Sequence, residues 1–313
     1  MHLHKFSVVS ITLMLSIGPT AGAQRVADPD FDTRVAHPAY ASDGPRVLFD
    51  EAHHNVHTAT GLYKPFADLI TSDGYRVARN TQKFTRASLH GFDILVISNA
   101  LGGPAAFAAG ASNPTFSQEA SHPAFTEEES DVVRDWVAAG HALLLIVDHA
   151  PMGAANERLG RRFDIDMSNG HTRDAANTPK ADKMPGLILF TRERGLLDHP
   201  VTSGRDVEER IHSVLTFAGQ SLKGPAGSVA FMQLADTAVD HLAPPRSGQV
   251  SASGRAQGIA LLFGEGRAVV LAEAGMLSAQ LAGPNKARFG MNRPGIDNRQ
   301  LAINIMHWLS RKM

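Results

Sequence analysis

Short apolar runs alternate with segments of helical periodicity along most of the chain. The run 142–148, ALLLIVD, is the most apolar and has no polar alternation, as is typical of a central parallel strand buried on both faces. The stretch 258–274, GIALLFGEGRAVVLAEA, predicts an antiparallel hairpin that turns at GEG. Further strands are predicted at 46–49, 75–79, 93–98, 186–190, 213–217 and 228–234.

Helices are predicted between these runs. Residues 62–74 carry apolar side chains on one face, with Pro65 in the first turn and Gly74 at the end. Thr126 and Glu129 form a capping box at the start of a helix that should end at Gly140. Two more helices are predicted near 154–165 and 298–311. This alternation predicts a three-layer α/β domain with a mainly parallel sheet.

The pattern divides the chain into three parts. Residues 1–23 have a basic start, an apolar run and the small residues AGA, which together predict a signal peptide and hence a periplasmic or extracellular protein. The apolar run is too short to span a bilayer, so no stable membrane insertion is expected after cleavage. Residues 24–44 are a tether or wrapping segment, and 45–313 form the α/β domain. Loop-rich insertions are expected at 165–185 and 236–257, and a surface loop at 101–124.

Composition narrows the classes of function. The 30 basic residues balance the 31 acidic ones, which leaves a nucleic-acid partner without support. The sequence contains no cysteine, so disulfides, thiolate nucleophiles and cysteine metal ligands are excluded. Candidate chemistry must therefore come from carboxylates and imidazoles.

Two clusters of such residues stand at predicted strand ends. The first strand is followed by Asp50, Glu51, His53 and His54, and the central strand ends in Asp148 and His149. Because ligands of open α/β sheets collect at the carboxyl ends of the strands, the two clusters are expected to share one crevice.

The clusters suggest two kinds of site. As a metal site, Asp50, His53 and His149 would bind zinc, manganese or iron. As an acid–base site, the catalytic groups would be Glu51, His54 and Asp148. A carboxylate pair for glycoside hydrolysis could also be drawn from these residues. The alternatives are structural, because an aspartate at a strand end often caps a helix or forms a turn.

Other polar residues were assigned by position. His57 and His171 are interpreted as surface-loop residues, and His307 as a packing residue of the last helix. Glu273, Asp297 and Asn298 are interpreted as capping residues, with the alternative that Glu273 and Asn298 reach the crevice.

Several stretches together resemble the class I glutamine amidotransferase-like superfamily, in particular its exported, uncharacterised branch. They are VLFDEAHHN, FDILVISNAL, FTEEESDVVRDWVAAGHALLLIVDHAP, GEGRAVVLAEAGML and GIDNRQLAINIMHWLS, and the resemblance covers residues 45–312. It implies a flavodoxin-like parallel sheet flanked by helices. It does not imply glutaminase activity, because the turn that would hold the catalytic cysteine is Asp148-His149.

Three functions are therefore weighed. The first is an exported hydrolase, with or without a bound metal, that acts on a small polar or carbohydrate-like substrate. The second is a non-catalytic ligand-binding domain that kept the fold, and the third is an envelope scaffold. The enzyme is favoured because a binding module does not need histidines beside carboxylates in a dry crevice.

Overall fold

A computed structural model describes residues 25–106, 114–180, 186–244 and 246–313. The predicted signal peptide lies outside the described residues. No helix within the described ranges is long and apolar enough to cross a membrane.

The described elements alternate as the sequence pattern predicts. The helices are α1 (Lys64–Ser72), α2 (Arg86–Leu89), α3 (Glu127–Ala138), α4 (Met152–Arg161), α5 (Pro200–Ser203) and α6 (Asn298–Leu309), with 3-10 turns at Gln118–Ser121 and Gly275–Leu277. The strands of the first half are β1 (Val26–Ala27), β2 (Arg46–Asp50), β3 (Arg76–Asn80), β4 (Ile94–Ser98), β5 (Ala105–Ala106), β6 (Thr115–Phe116), β7 (Ala142–Ile146), β8 (Asp166–Met167) and β9 (Gly170–Arg173). Those of the second half are β10 (Leu187–Thr191), β11 (Ser213–Phe217), β12 (Leu222–Lys223), β13 (Val229–Gln233), β14 (Val239–Leu242), β15 (Gln249–Ser251), β16 (Ala256–Phe263), β17 (Gly266–Leu271), β18 (Ala279–Ala282) and β19 (Ala287–Gly290).

The largest sheet has nine strands, in the order β3-β2-β4-β7-β17-β16-β12-β8 with β13 also paired to β16. The first five run parallel. The predicted hairpin is present, because β16 and β17 pair antiparallel from Gly258–Leu271 to Phe263–Gly266. The flavodoxin-like three-layer arrangement expected from the sequence is therefore confirmed.

Two cores cover the faces of this sheet. Residues of the parallel strands alternate between them, with Leu144 and Ile146 in one core and Leu143 and Leu145 in the other. Helices α1, α5 and α6 contribute to the first core, and α2, α3 and α4 to the second. Burial on both faces explains why these strands read as continuous apolar runs.

The expected insertions contain a sheet of their own. Strand β9 from the first insertion and strands β14 and β15 from the second pair in the order β15-β14-β9. This pairing places His171 opposite His241. The amino-terminal segment also packs on the domain, since β1 pairs with β18 and Tyr40 accompanies the first core.

The capping box of α3 is present as predicted. The backbone amide of Glu129 donates to Thr126 Oγ1 at 3.1 Å, and the Thr126 amide donates to Glu129 Oε2 at 3.0 Å. The helix ends at Ala138, two residues before Gly140, whose φ of +112° is one that a glycine adopts without strain.

We expect Thr126→Ala to lower the free energy of unfolding by about 1 kcal/mol, because it removes the acceptor for an amide of the first turn. Urea denaturation measures this loss. Thr126→Ser keeps the hydroxyl and should retain most of the stability. Equal losses in both variants would contradict the capping role.

Candidate functional site

A cleft of about 250 Å³ opens at the carboxyl ends of the parallel strands. In the sheet, β2 lies between β3 and β4, so the chain order reverses next to β2. Such a reversal is where open α/β sheets bind ligands. The residues that line the cleft are Arg25, Val56, His57, Leu62, Asn99, Pro114, Phe116, Asp148, His149, Met152, His171 and Gln280. A larger groove of about 610 Å³ near Arg194 and Asp236 has no histidine in its lining.

Asp148 and His149 follow β7 and meet in this cleft. The Asp148 amide donates to Asn99 Oδ1 at 2.9 Å, and Gln220 Nε2 donates to the Asp148 carbonyl at 2.8 Å, so the turn is held on both sides. The His149 ring lies with Nε2 4.0 Å from Asp148 Oδ1. The Asp148 side chain is 14% exposed and the His149 side chain 30%, which leaves both accessible to a ligand.

A second carboxyl group lies buried beside Asp148. Glu273 follows β17, the strand next to β7, and is 1% exposed. Its carboxylate accepts hydrogen bonds from the backbone amides of Gly275 and Met276. Burial, and then the charge of Asp148, raise the pKa of Glu273 to about 8. Burial likewise raises the pKa of Asp148, against the opposing effects of His149 and Arg25. The two carboxyl groups therefore share one proton at neutral pH and together keep one negative charge.

Two further imidazoles belong to the cleft. His57 stacks on Tyr63 with ring centroids 4.6 Å apart, and burial followed by the charge of Arg25 lowers its pKa to about 3. His171 stacks on His149 at 4.2 Å, and burial followed by the charge of His149 lowers its pKa to about 4. The interpretation of His57 as a surface-loop residue is wrong, because its side chain is buried. His171 is exposed at the surface as expected, but it lies on β9 and not in a loop.

The first predicted cluster lies elsewhere. The His53 ring is buried between two carboxylates, with Nδ1 2.9 Å from Asp50 Oδ2 and Nε2 3.0 Å from Glu129 Oε1. The rings of Phe84 and Phe125 cover it at centroid distances of 4.8 and 4.7 Å. Both ring nitrogens face acceptors, which suits the doubly protonated imidazolium. Burial opposes that charge, but the bonds to Asp50 and Glu129 raise the pKa of His53 above its ordinary value.

Glu51 and His54, the other two residues of this cluster, also lie outside the cleft. Glu51 accepts the Ala59 amide at 2.9 Å and pairs with Arg79 at 2.6 Å. His54 is exposed and has a φ of +48°. The two predicted strand-end clusters therefore do not share one crevice: Asp148 and His149 lie in the cleft, whereas the cluster after β2 does not line it.

The residues predicted as metal ligands do not form one ligand set. His53 is bonded to Asp50 through Nδ1 and to Glu129 through Nε2, whereas His149 belongs to the cleft. Among the residues that the structure describes, no group of three or more His, Asp or Glu side chains is placed to hold a metal ion. The donor set named from the sequence therefore does not fit a metal.

The residues assigned to capping have other roles. Asp297 precedes α6 but makes no side-chain cap; its Oδ2 instead accepts the His212 and Ser213 amides. Asn298 bonds to both backbone groups of Leu215 and does not line the cleft. His307 is fully buried, as a packing residue should be, with Nε2 2.7 Å from Asp73 Oδ2.

Several cleft residues were missed by sequence reasoning. Arg25 was placed in a tether, Asn99 follows β4 in an unremarked position, and Gln280 lies on β18. Only Asn99 carried a signal, since it stands directly after a buried strand that neighbours β7. The other two are brought in by the pairing of β1 with β18, which no local pattern encodes.

The raised pKa values of Glu273 and His53 should make the free energy of unfolding depend on pH. From pH 6.5 to pH 8 the folded protein retains protons on Glu273 and His53 that the unfolded chain has lost, so stability falls as pH rises. We expect a fall of about 2 kcal/mol for Glu273 over this range. Below pH 6.5 the low pKa values of His57 and His171 act in the opposite direction.

Urea denaturation at pH 6.5 and pH 8 measures this fall. Asp148→Asn should reduce it, because the neutral amide removes the charge that raises the pKa of Glu273. Asp43→Asn, at an exposed carboxylate, is the matched control and should leave it unchanged. An undiminished fall in Asp148→Asn would contradict the coupling of the two carboxyl groups.

Comparison with known proteins supports the fold. No protein-family model matches the chain, and no curated protein does. The chain is similar to the solved N-terminal domain of mmIFT52, with a TM-score of 0.57 and 15% identity, over 84% of this chain and 97% of that chain. At this identity the similarity shows the fold alone.

A ThuA-like protein from Bacteroides uniformis is also among the similar structures. Its TM-score is 0.43 and its identity 14%, over 87% of this chain and 95% of that chain. A score this low carries no argument by itself. The fold that the amidotransferase-like resemblance implied is present in the strand order, and the activity has to be argued from the cleft.

Proposed function

We propose that the protein is an exported hydrolase that acts on a small polar compound bound in the cleft. The observation that carries the proposal is the meeting of Asp148 and His149 at the reversal point of the sheet. A carboxyl group that shares a buried proton and lies beside an imidazole forms a pair suited to general acid–base catalysis.

His149 is assigned the role of general base. Its Nδ1 lies 2.8 Å from the Ala150 carbonyl oxygen, to which it donates, and in the neutral ring this leaves Nε2 as an acceptor. The same bond fixes the orientation of the ring, which also stacks on His171. Nε2 can then take a proton from a water molecule that attacks the substrate.

Asp148 is assigned the role of general acid. Burial raises the pKa of Asp148, which shares a proton with Glu273, and 14% of the Asp148 side chain remains open to the cleft. A protonated carboxyl group donates a proton to the departing oxygen or nitrogen of the substrate. The turnover cycle closes when the proton on His149 returns to Asp148 through solvent.

The remaining lining suits a compound with one apolar and one polar side. Val56, Leu62, Phe116 and Met152 supply apolar contacts, while Asn99 and Gln280 supply polar ones. A small cleft with few placed polar groups is typical of small-molecule sites. A carbohydrate-like ring would satisfy both kinds of contact. No step of this mechanism requires a metal ion.

The alternative is a binding domain without catalysis. It is favoured because none of the described residues that line the cleft is a serine, threonine or lysine. In that case ligands would bind in the cleft and remain intact.

A panel of chromogenic p-nitrophenyl glycosides, esters, amides and phosphoesters tests the proposal. We expect the wild-type protein to hydrolyse at least one class, and the double variant Asp148→Asn/His149→Gln to lose that activity. Asp43→Asn serves as the control for an exposed carboxylate. Activity that survives in the double variant would show that the cleft pair does not carry the reaction. No activity in any protein, with ligand binding retained, would favour the binding domain.

A further inference from the structure

Arg25, which directly precedes β1, brings a positive charge into the cleft. It is the first described residue of the chain. The pairing of Ala27 with Gln280 on β18 fixes this segment beside the cleft. Asn292 Nδ2 donates to Asp28 Oδ2 at 2.8 Å and to the Gln280 carbonyl at 3.0 Å, which ties the two strands together.

The Arg25 guanidinium faces the groups assigned to catalysis. It forms no ion pair with any described carboxylate. Its charge nevertheless interacts electrostatically with Asp148, Glu273 and His57. The Phe289 ring lies under it, 4.2 Å from the guanidinium carbon to the ring centroid. This contact covers one face of the guanidinium plane and leaves its N–H edge for a partner.

Two polar atoms of the cleft wall lack partners within the described part of the chain. Arg25 Nε and Gln280 Oε1 are both buried and form no hydrogen bond there. Gln280 is 1% exposed, and its amide nitrogen is already held by Ser278 Oγ at 2.8 Å. A buried polar group without a partner costs free energy, so a donor and an acceptor left open in one small cleft point to a ligand that satisfies both.

The charge balance of the cleft favours an anionic ligand. The two carboxyl groups hold a proton at neutral pH because burial raises the pKa of both. Arg25 Nε has no hydrogen-bond partner among the described residues, so the guanidinium can still bind an anion, although burial lowers its pKa. Guanidinium binds a carboxylate through two parallel hydrogen bonds, which is its strongest common pairing.

We infer that Arg25 is the carboxylate-binding residue of the cleft and that the ligand is a small carboxylic acid. An adjacent hydroxyl or amide hydrogen of the same ligand bonds to Gln280 Oε1. The inference rests on the proposed function in one respect, since it names the substrate class of that hydrolase. Arg25 would position the substrate so that its scissile bond lies beside Asp148 and His149.

Acetate is the probe for this subsite, and acetamide is its neutral isostere. Saturation-transfer NMR on the mature protein, at neutral pH and constant ionic strength, measures the binding of each. We expect acetate to bind the wild type and acetamide to bind at least fivefold more weakly. Arg25→Gln should lose acetate binding at least fivefold, whereas Arg161→Gln, at an arginine whose side chain is 69% exposed, should retain it.

A second variant guards against misfolding of Arg25→Gln. Gln280→Glu keeps Arg25 but places a carboxylate beside it, so this variant should also lose acetate binding. Thermal unfolding checks that each variant is folded. Equal acetate binding in wild type and Arg25→Gln would overturn the inference, and so would equal binding of acetate and acetamide.

The two proposals fail separately. If the substrate panel is hydrolysed but acetate does not bind at Arg25, the carboxylate subsite is wrong and the hydrolase stands. If acetate binds at Arg25 but no substrate is hydrolysed, the subsite stands and the hydrolase is wrong.

Discussion

The Asp148→Asn variant is expected to turn over the substrate about 10²- to 10⁴-fold more slowly than the wild type, the usual contribution of a positioned general acid. The asparagine keeps the shape of the side chain but has no proton to give to the leaving group. Stopped or continuous assay of the substrate class found with the chromogenic panel measures kcat. The control is Asp43→Asn, which should keep the wild-type rate.

The pH profile separates this role from a structural one. Wild-type kcat should fall on the alkaline side as Asp148 and Glu273 lose their shared proton. Asp148→Asn should lose this alkaline fall. An Asp148→Asn enzyme with the full wild-type profile and rate would exclude this residue as the acid.

The His53→Ala variant is expected to lose about 3–5 kcal/mol of folding free energy, because it leaves two buried carboxylates without their shared cation. Asp50 is fully buried and Glu129 is 4% exposed, so solvent cannot replace the imidazolium. Asp50 would retain the side-chain amides of Asn55 and Asn80 and the backbone amide of Ala52, which are all uncharged donors. Urea denaturation at pH 6.5 measures the loss.

The adjacent histidine provides the control. His54 is exposed and has a φ of +48°, a conformation that asparagine tolerates, so His54→Asn should change stability by less than about 0.5 kcal/mol. The His53 contribution should also shrink as pH rises through its raised pKa, because the cation is then lost from the folded protein. A His53→Ala variant within 1 kcal/mol of the wild type would refute the buried ion network.

These two predictions divide the histidines of the chain into different kinds. His53 and His307 are buried against carboxylates and stabilise the fold. His57, His149 and His171 line the cleft and stack on other rings. Sequence spacing placed His53 and His149 in the same metal site, yet only His149 can meet a ligand. Imidazoles at strand ends are therefore candidates whose role depends on what packs over them.

The fold was predictable because its signals are local. The apolar runs at 46–49, 93–98 and 142–148 correspond to β2, β4 and β7, and the GEG turn lies in the β16–β17 hairpin. The capping box at Thr126 begins α3 where the sequence places it. Side-chain periodicity and capping act over a few residues, so one sequence is enough to read them.

The site was predictable only in part. Asp148 and His149 follow the most buried strand, and the topological rule for open sheets places them in the cleft. The rule also applied to the cluster after β2, but Glu129 from α3 and the rings of Phe84 and Phe125 close over His53 there. That closure depends on segments more than 30 residues away along the chain.

The sequence by itself determined the α/β class, the parallel strands, the hairpin and the chemistry available to a protein without cysteine. Only the tertiary structure decided which polar residues share a cleft. It brought Arg25 and Gln280 beside Asp148 through the pairing of β1 with β18, and it enclosed His53 between Asp50 and Glu129. The physical reason is one of range: periodicity and capping are set by neighbours in sequence, whereas burial and charge depend on residues that meet only when the chain is folded.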